Sequence, residues 1–436
     1  MNHTKYRRKA KDEYRMRTHL IHGNYESKKW DYDHHVIPPM SCSATYRLNS
    51  AHRGAQGFFE FASESMDFAK HVPIYIYDRL EEPTRGMLEE NLAYAEQGEM
   101  CVTFATGMAA ISATLGVLCE SGHEIVAHHI LYGCTYSLMT HWLPRLGINA
   151  VFADLKKIQE LRKAITSRTR AIYFETPVNP DLSLIDIRAI RTVVDELNVN
   201  RPSDKQIRII VDNTFATPYC QRPITLGADF SIHSLTKDIG GFGTDMGGAV
   251  IGPQKYYSQL LLYRKDFGGV LSPKSAWNFL VYGLPTLSTR MINHQKTAYR
   301  VAQFLQSHPK VERVIYPGLE TYPQLELAKH QMTNYEGRFS PGAMIYFVLN
   351  GDSEKEGYRA EKFIDYIADH SYCITLAVSL GQMRTLIESP FSMTHAAMPA
   401  EEKRQRGMEP GGIRLSVGLE DWHDLIEDLQ HGLDHI

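Results

Sequence analysis

The chain has 436 residues, 43% of them hydrophobic, enough to bury a substantial core and to divide into two or three domains. Its 47 basic and 50 acidic residues leave a net charge of −3, which raises no broad field of either sign and argues against nucleic acid or an anionic membrane as the main partner. Small-molecule chemistry fits better.

The stretch from Lys5 to Arg17 is basic and polar with no apolar run, so it predicts neither a secretory signal nor a membrane span, and the expected location is cytoplasmic. Residues 1–75 show no sustained hydrophobic period and read as an extended N-terminal arm suited to packing on a neighbouring subunit. Residues 76–283 read as a large domain. Within it, short apolar runs alternate with helix-like segments from about 100 to 252, the pattern of a mostly parallel sheet covered by helices. The expected strands are Glu124 to His128, Ala150 to Ala153, Ala171 to Glu175, Arg208 to Asp212, Phe230 to His233 and Gly248 to Ile251. Ile185, Ile187, Ile190, Val193, Val194 and Leu197 recur at near-helical spacing and predict a crossover helix. After Gly283 the pattern changes to a long helix, Ser288 to Gln306, then strands near Gly342 to Leu349 and Cys373 to Ala377. Residues 284–436 therefore read as a smaller α+β domain.

The six cysteines, Cys42, Cys101, Cys119, Cys134, Cys220 and Cys373, form no Cys-x-x-Cys pair, which suits reduced thiols better than a disulfide frame or a zinc site. His34-His35 and His128-His129 are sequence neighbours whose side chains point in different directions on a regular element, so structural roles are expected and no metal.

In open parallel sheets ligands collect at the carboxyl ends of strands, where Glu175-Thr176-Pro177-Val178-Asn179-Pro180 and Asp212-Asn213-Thr214 fall. Lys237 sits in His233-Ser234-Leu235-Thr236-Lys237-Asp238-Ile239-Gly240-Gly241, an amine behind two hydroxyls and ahead of glycines. Phe104-Ala105-Thr106-Gly107-Met108 runs into a helix, with glycine where backbone must approach an anion and free amides at the helix start. Taken singly, each feature has an ordinary reading: a surface lysine, a capping Asp, a tight loop. Together they suit pyridoxal phosphate, which needs an amine, a phosphate cup and a carboxylate that keeps its ring nitrogen protonated. Tyr132 follows a strand, where its ring can stack on a cofactor face and its phenol can move protons; a core tyrosine is the alternative.

These segments resemble the Cys/Met-metabolism family of pyridoxal phosphate enzymes, from about Thr18 to the C-terminus and most closely over 100–252 and 370–425. The resemblance implies the type I fold of such enzymes, aspartate aminotransferase-like, with a mostly parallel sheet and a smaller C-terminal α+β domain. It implies that Lys237 forms the Schiff base, Asp212 pairs with the pyridine nitrogen and Tyr132 stacks on the ring. Gly107, Met108, Ser234 and Thr236 would hold the phosphate, with Asn179 near the phenolic oxygen. Tyr77 and Arg79 match a Tyr-x-Arg that reaches the phosphate of a neighbouring subunit, in a homo-oligomer built as a dimer of dimers. Arg414 matches the arginine that grips the carboxylate of a small amino-acid substrate, with Ser379, Leu380 and Cys134 lining the same pocket.

By the same resemblance the expected reaction is α,γ-elimination of a sulfur amino acid, L-methionine foremost, with Tyr132 protonating the departing sulfur and nearby cations poising its phenol. Val378 stands where cystathionine-cleaving relatives often place a carboxylate, and its apolar side chain suits a thioether methyl better than a buried amine. The alternatives are γ-replacement on an activated homoserine ester, cleavage of cystathionine, and cofactor binding without turnover. The chain departs from the family pattern at Leu235, at Asp238 in place of an aromatic, at Phe242, and at Glu81-Glu82 ahead of Pro83-Thr84.

Overall fold

The six strands expected between residues 124 and 252, joined by one more, assemble into a single seven-stranded sheet. The computed structural model describes residues 14–23, 35–63, 73–351, 357–393, 400–405 and 408–436. The strands are β1 (Met100–Phe104), β2 (Glu124–His128), β3 (Asn149–Ala153), β4 (Thr169–Glu175), β5 (Arg208–Asp212), β6 (Phe230–Ser234) and β7 (Gly248–Gly252), in the order β1-β7-β6-β5-β4-β2-β3. All pairings are parallel except those of β7, which runs against both β6 and β1. Helices cover both faces, so the strands are apolar on both sides. Ala171, Tyr173 and Ile210 join the core under the Gly107–Leu118 helix, while Ile172, Phe174, Ile209 and Val211 join the opposite core.

The crossover helix spans Ile187–Asn198 and buries Ile187, Ile190, Val193 and Val194 on that opposite core. Its start is set by Asp186, whose side chain accepts from Ala189 N at 3.0 Å. The second sheet contains β8 (Val311–Ile315), β9 (Met344–Leu349), β10 (Ile374–Leu376), β11 (Thr385–Glu388) and β12 (Gly412–Ser416), in the order β10-β11-β12-β9-β8. The long helix runs Leu284–Ser307, starting a turn earlier than expected because Pro285 is well placed in a first turn, where no N–H is needed. It straddles two cores: Leu287 and Met291 pack beside the first sheet, Val301 and Leu305 under the second.

The N-terminal arm is not simply extended. Helices form at Met16–His22 and Ala51–Glu60, and Leu20 is buried against the chain's own Leu88 and Leu92 core. The unusual Glu82 caps the Pro83–Glu96 helix by accepting from Thr84 N at 2.8 Å and from Arg85 N, doing with a carboxylate what a short polar residue does elsewhere. Burial pushes its carboxyl up to about 7.

Gly248, in β7, lies where a Cβ would stand 2.1 Å from Thr106 O and 2.8 Å from Gly107 N, all rigid backbone at the start of the Gly107–Leu118 helix. Gly248→Ala should therefore cost about 3 kcal/mol of stability, the upper end for overpacking a core. A urea midpoint indistinguishable from that of the parent chain would contradict this.

Candidate active site

The carboxyl ends of β4, β5 and β6 and a loop of the second sheet converge on Lys237. Its amine donates to Ser379 Oγ at 2.7 Å. Burial first, and then the Arg414 charge, pushes the Lys237 amine down to about 8, against the pull of Glu388 and Asp238. Ser379 has a φ of +95°, a strained position for a residue with a side chain; its carbonyl accepts from Arg414 Nη2 at 2.9 Å.

Arg414, in the middle of β12, is 3% exposed, so the surface ion-pair reading does not apply. Its Nη1 donates to Asn179 Oδ1 at 3.0 Å, and its Nη2 lies 2.9 Å from Glu388 Oε1. Glu388, 1% exposed, sits directly across from it in the β11–β12 register. A buried guanidinium without such a partner would carry a large desolvation cost.

Asp212 ends β5 and accepts from Thr214 N at 3.0 Å and from the Tyr173 hydroxyl at 3.3 Å. Glu175, its register neighbour at the end of β4, accepts from Tyr132 N at 2.7 Å. Burial raises both carboxyls, and Asp212's charge raises Glu175 further. The extra proton belongs on Glu175, because the hydrogen bonds to Asp212 and the charge of His233 favour its ionised form. Below Asp212, His233 Nε2 bonds the fully buried Glu96, which also accepts from Asn213 Nδ2 at 2.8 Å and Ser231 Oγ at 3.1 Å.

Tyr132 opens the short Gly133–Ser137 helix and is 39% exposed. Its phenol is not poised by cations as expected. Burial raises its pKa, followed by its bond to Cys134 and the charges of Glu175 and Glu388, so it keeps its proton.

The phosphate cup also takes shape. Thr106 caps the Gly107–Leu118 helix by accepting from Ala109 N at 3.0 Å, leaving the first-turn amides of Gly107 and Met108 without intrahelical partners. A Cβ on Gly107 would stand 3.0 Å from Ser234 Cβ, so glycine keeps this cradle open. Ser234 N donates to Thr214 Oγ1 at 2.9 Å, and Thr236 Oγ1 accepts from Gly247 N at 3.2 Å. An amine, an amide-rich cradle, a strand-end carboxylate and a half-exposed tyrosine fit pyridoxal phosphate. Tyr77 and Arg79 stand apart: Tyr77 is 41% exposed, and Arg79 lies over its ring and donates to Lys265 O at 3.0 Å.

Glu388, Glu175, Glu96 and His233 were not singled out from the sequence as site residues. The available signals were an acid ending an apolar strand for Glu388 and Glu175, and an acid inside an apolar helix for Glu96. Away from the site, His128 and His129 do come together, their rings 4.4 Å apart and their ligand atoms within 4.8 Å of one another and of Asp154. His128 Nδ1, however, already accepts from Leu155 N at 3.1 Å. His34 lies outside the described residues.

A type I pyridoxal phosphate fold carrying this lysine, carboxylate and arginine defines a class of amino-acid enzymes. The chain belongs to the Cys/Met metabolism PLP-dependent enzyme family, whose profile matches residues 17–434, and pyridoxal phosphate is its cofactor. It is 41% identical over 400 residues to an L-methionine gamma-lyase of Fusobacterium nucleatum subsp. polymorphum, covering 91% of this chain and 93% of that one. Among solved structures it is similar to cystathionine gamma-lyase from Lactobacillus plantarum, with a TM-score of 0.82, 32% identity, and 97% and 99% of the two chains covered. It is also similar to cystathionine gamma synthase from Xanthomonas oryzae pv. oryzae, with a TM-score of 0.81, 32% identity, and 96% and 98% covered.

Because only the neutral amine attacks the cofactor's aldehyde, the depressed Lys237 pKa has a kinetic consequence. Reconstitution of the cofactor-free protein should accelerate as pH rises and level off just above about 8. A rate still climbing to pH about 10, the ordinary lysine range, would contradict the site's electrostatics.

Proposed function

We propose that this chain is a carbon–sulfur lyase that performs α,γ-elimination on a γ-substituted amino acid, with L-methionine the leading substrate and 2-oxobutanoate, ammonia and a thiol the products. One observation carries the reading: the Lys237 amine and the Arg414 guanidinium are anchored on the same residue, Ser379, at 2.7 and 2.9 Å. The group that moves the α-proton and the group that binds the α-carboxylate are thereby held at a fixed spacing.

The bonds of Arg414 to Asn179, Ser379 and Glu388 fix the orientation of its guanidinium, which offers its remaining N–H groups and its charge to the substrate carboxylate. Lys237, with a pKa near neutrality, takes the α-proton at Nζ and can carry it onward. Pyridoxal phosphate, when bound, supplies the electron-withdrawing ring that makes this proton removable. When pyridoxal phosphate is bound, Asp212 would keep its ring nitrogen protonated, the Gly107 and Met108 amides with Ser234 and Thr236 would hold its phosphate, and Asn179 would lie near its phenolic oxygen. Tyr132 keeps its phenolic proton and gives it to the departing sulfur, beside Cys134.

Val378, 57% exposed beside Ser379, offers an apolar contact to a methyl thioether and no counter-charge to a distal amine, which favours methionine over cystathionine. The exposure of Tyr77 and Arg79 supports their service to a neighbouring subunit's phosphate in a homo-oligomer, a dimer of dimers. A cytoplasmic setting is supported by six free cysteines, and none of the described helices is long and apolar enough to cross a membrane.

The γ-replacement reading uses the same residues and differs in whether water or an added nucleophile resolves the reaction. The test is 2-oxobutanoate release by the purified yellow protein from L-methionine, cystathionine or O-acetylhomoserine, each with and without thiol. Release from methionine alone is expected. Thioether formation from the ester with thiol, and no keto acid from any substrate without it, would sink the lyase reading.

A further inference from the structure

The strands that carry the site have two faces, and one of them is turned to the pocket. Glu175, Asp212 and Ser234 share the face of Tyr173, Ile210 and Ile232, under the Gly107–Leu118 helix, whereas the adjacent residues Thr176, Asn213 and His233 fall on the opposite face by alternation. All three of these neighbours are polar and fully buried, so each needs a hydrogen-bond partner inside the protein.

The partners form one network. Glu96, the last residue of the Pro83–Glu96 helix, accepts at Oε1 from Asn213 Nδ2 at 2.8 Å, from Ser231 Oγ at 3.1 Å and from His233 Nε2. Asn213 gives its other Nδ2 hydrogen to Gln221 O at 2.8 Å and accepts at Oδ1 from Gln221 Nε2 at 2.9 Å. Gln221 Nε2 also donates to Thr176 O at 2.9 Å, and Thr176 Oγ1 accepts at 3.3 Å from Gln331 Nε2, at the end of the Leu325–Gln331 helix. Glu96, Gln221 and Ser231 are fully buried, and Gln331 nearly so.

Asn213 is the hub of this network. Donor count fixes its orientation: turned over, its amide oxygen would face the Glu96 carboxylate and the Gln221 carbonyl, both of them acceptors. It also stands where the sheet gives out. The β5–β6 ladder ends at the pairing of Asp212 with Ile232, and one further bond, from Asn213 N to Ile232 O at 2.9 Å, closes it. Beyond that point the direction of the Asp212 carboxylate depends on what grips the next residue. On the pocket face Asp212 accepts from Thr214 N at 3.0 Å and the Tyr173 hydroxyl at 3.3 Å, and on the other face the Asn213 amide is held by Glu96 and, at both its ends, by Gln221.

We propose that Asn213 is a positioning residue for the reaction: anchored by Glu96 and Gln221 on the far side of the sheet, it aims the Asp212 carboxylate at the cofactor's ring nitrogen. Gln221 extends the same hold to Thr176, next to Glu175, so that the two neighbouring carboxyls keep their spacing. What depends on this aim is one charge-assisted hydrogen bond, from the protonated ring nitrogen to Asp212, and such bonds weaken steeply with misalignment. The inference rests on the reading of Asp212 as the partner of that nitrogen.

The test separates aim from general stability by changing the cofactor as well as the protein. Pyridoxal phosphate and its 1-deaza analogue, in which carbon replaces the ring nitrogen, are titrated into the cofactor-free parent protein and into Asn213→Ala, and the dissociation constants are compared. The parent should favour pyridoxal phosphate by about tenfold or more, the size of effect expected of a hydrogen bond between charged groups. Asn213→Ala should reduce that preference to within about threefold, by weakening pyridoxal phosphate while leaving the analogue within about twofold of its parent value. Equal weakening of both cofactors is the behaviour of a residue that only stabilises the fold, and it overturns the proposal, as does an unchanged preference. Should Asn213→Ala fail to fold, Gln221→Leu, which leaves the bonds to Glu96 in place, decides by the same comparison. Asp212→Asn is the control. A preference that is absent from the parent, or that survives Asp212→Asn, counts against the reading of Asp212, whereas a preference lost there but kept in Asn213→Ala counts against Asn213 alone.

Discussion

A guanidinium held 3% exposed cannot stay charged without partners, and the partners of Arg414 come from both sheets. Asn179 follows β4 of the first sheet, while Glu388 and Ser379 belong to the second. The ion pair with Glu388 is built by register: the two residues face each other across β11 and β12, where every residue of both strands is buried. Satisfying this one charge therefore fixes how the second sheet meets the carboxyl ends of the first. Ser379 is then brought to the Lys237 amine at 2.7 Å, and its φ of +95° is tolerated because both its hydroxyl and its carbonyl are bonded.

The electrostatics of the pocket follow from how unevenly its charges are solvated. Lys237 and Arg414 face one another, which lowers the amine's pKa and makes it a base near neutral pH. On the other side, Asp212 and Glu175 lie on adjacent strands, and two buried carboxyls that close do not both ionise cheaply. The hydrogen bonds from Thr214 and Tyr173 and the charge of His233 select Asp212 as the anion. Glu175 is left to hold the Tyr132 backbone and, with Cys134, to keep the phenol protonated. Base, anion and acid are thus separated by environment rather than by residue type.

Much of this was legible in the sequence because it is local. β2 and β5 match their expected limits, and the strands at 149–153, 169–175, 230–234 and 248–252 differ by one or two residues, since short apolar runs between helical patterns have few other readings. Lys237, Asp212 and Gly107 were visible because each sits at a strand end or turn whose chemistry is written in its neighbours. Glu388 was not, because its meaning depends on a strand register that no local pattern encodes. The cationic setting expected for Tyr132 failed for a related reason: the groups that crowd it, Glu175 and Glu388, arrive from two different strands. The short Met16–His22 helix escaped notice because most of its residues are polar and only His19 and Leu20 are buried.

The central claim is that Lys237 is the amine around which the pocket is arranged. Borohydride reduction of the yellow protein, followed by peptide mass mapping, tests it without reference to any substrate. The account predicts a single pyridoxyl adduct on the peptide that carries Lys237. An adduct on another lysine, with the Lys237 peptide unmodified, would contradict it.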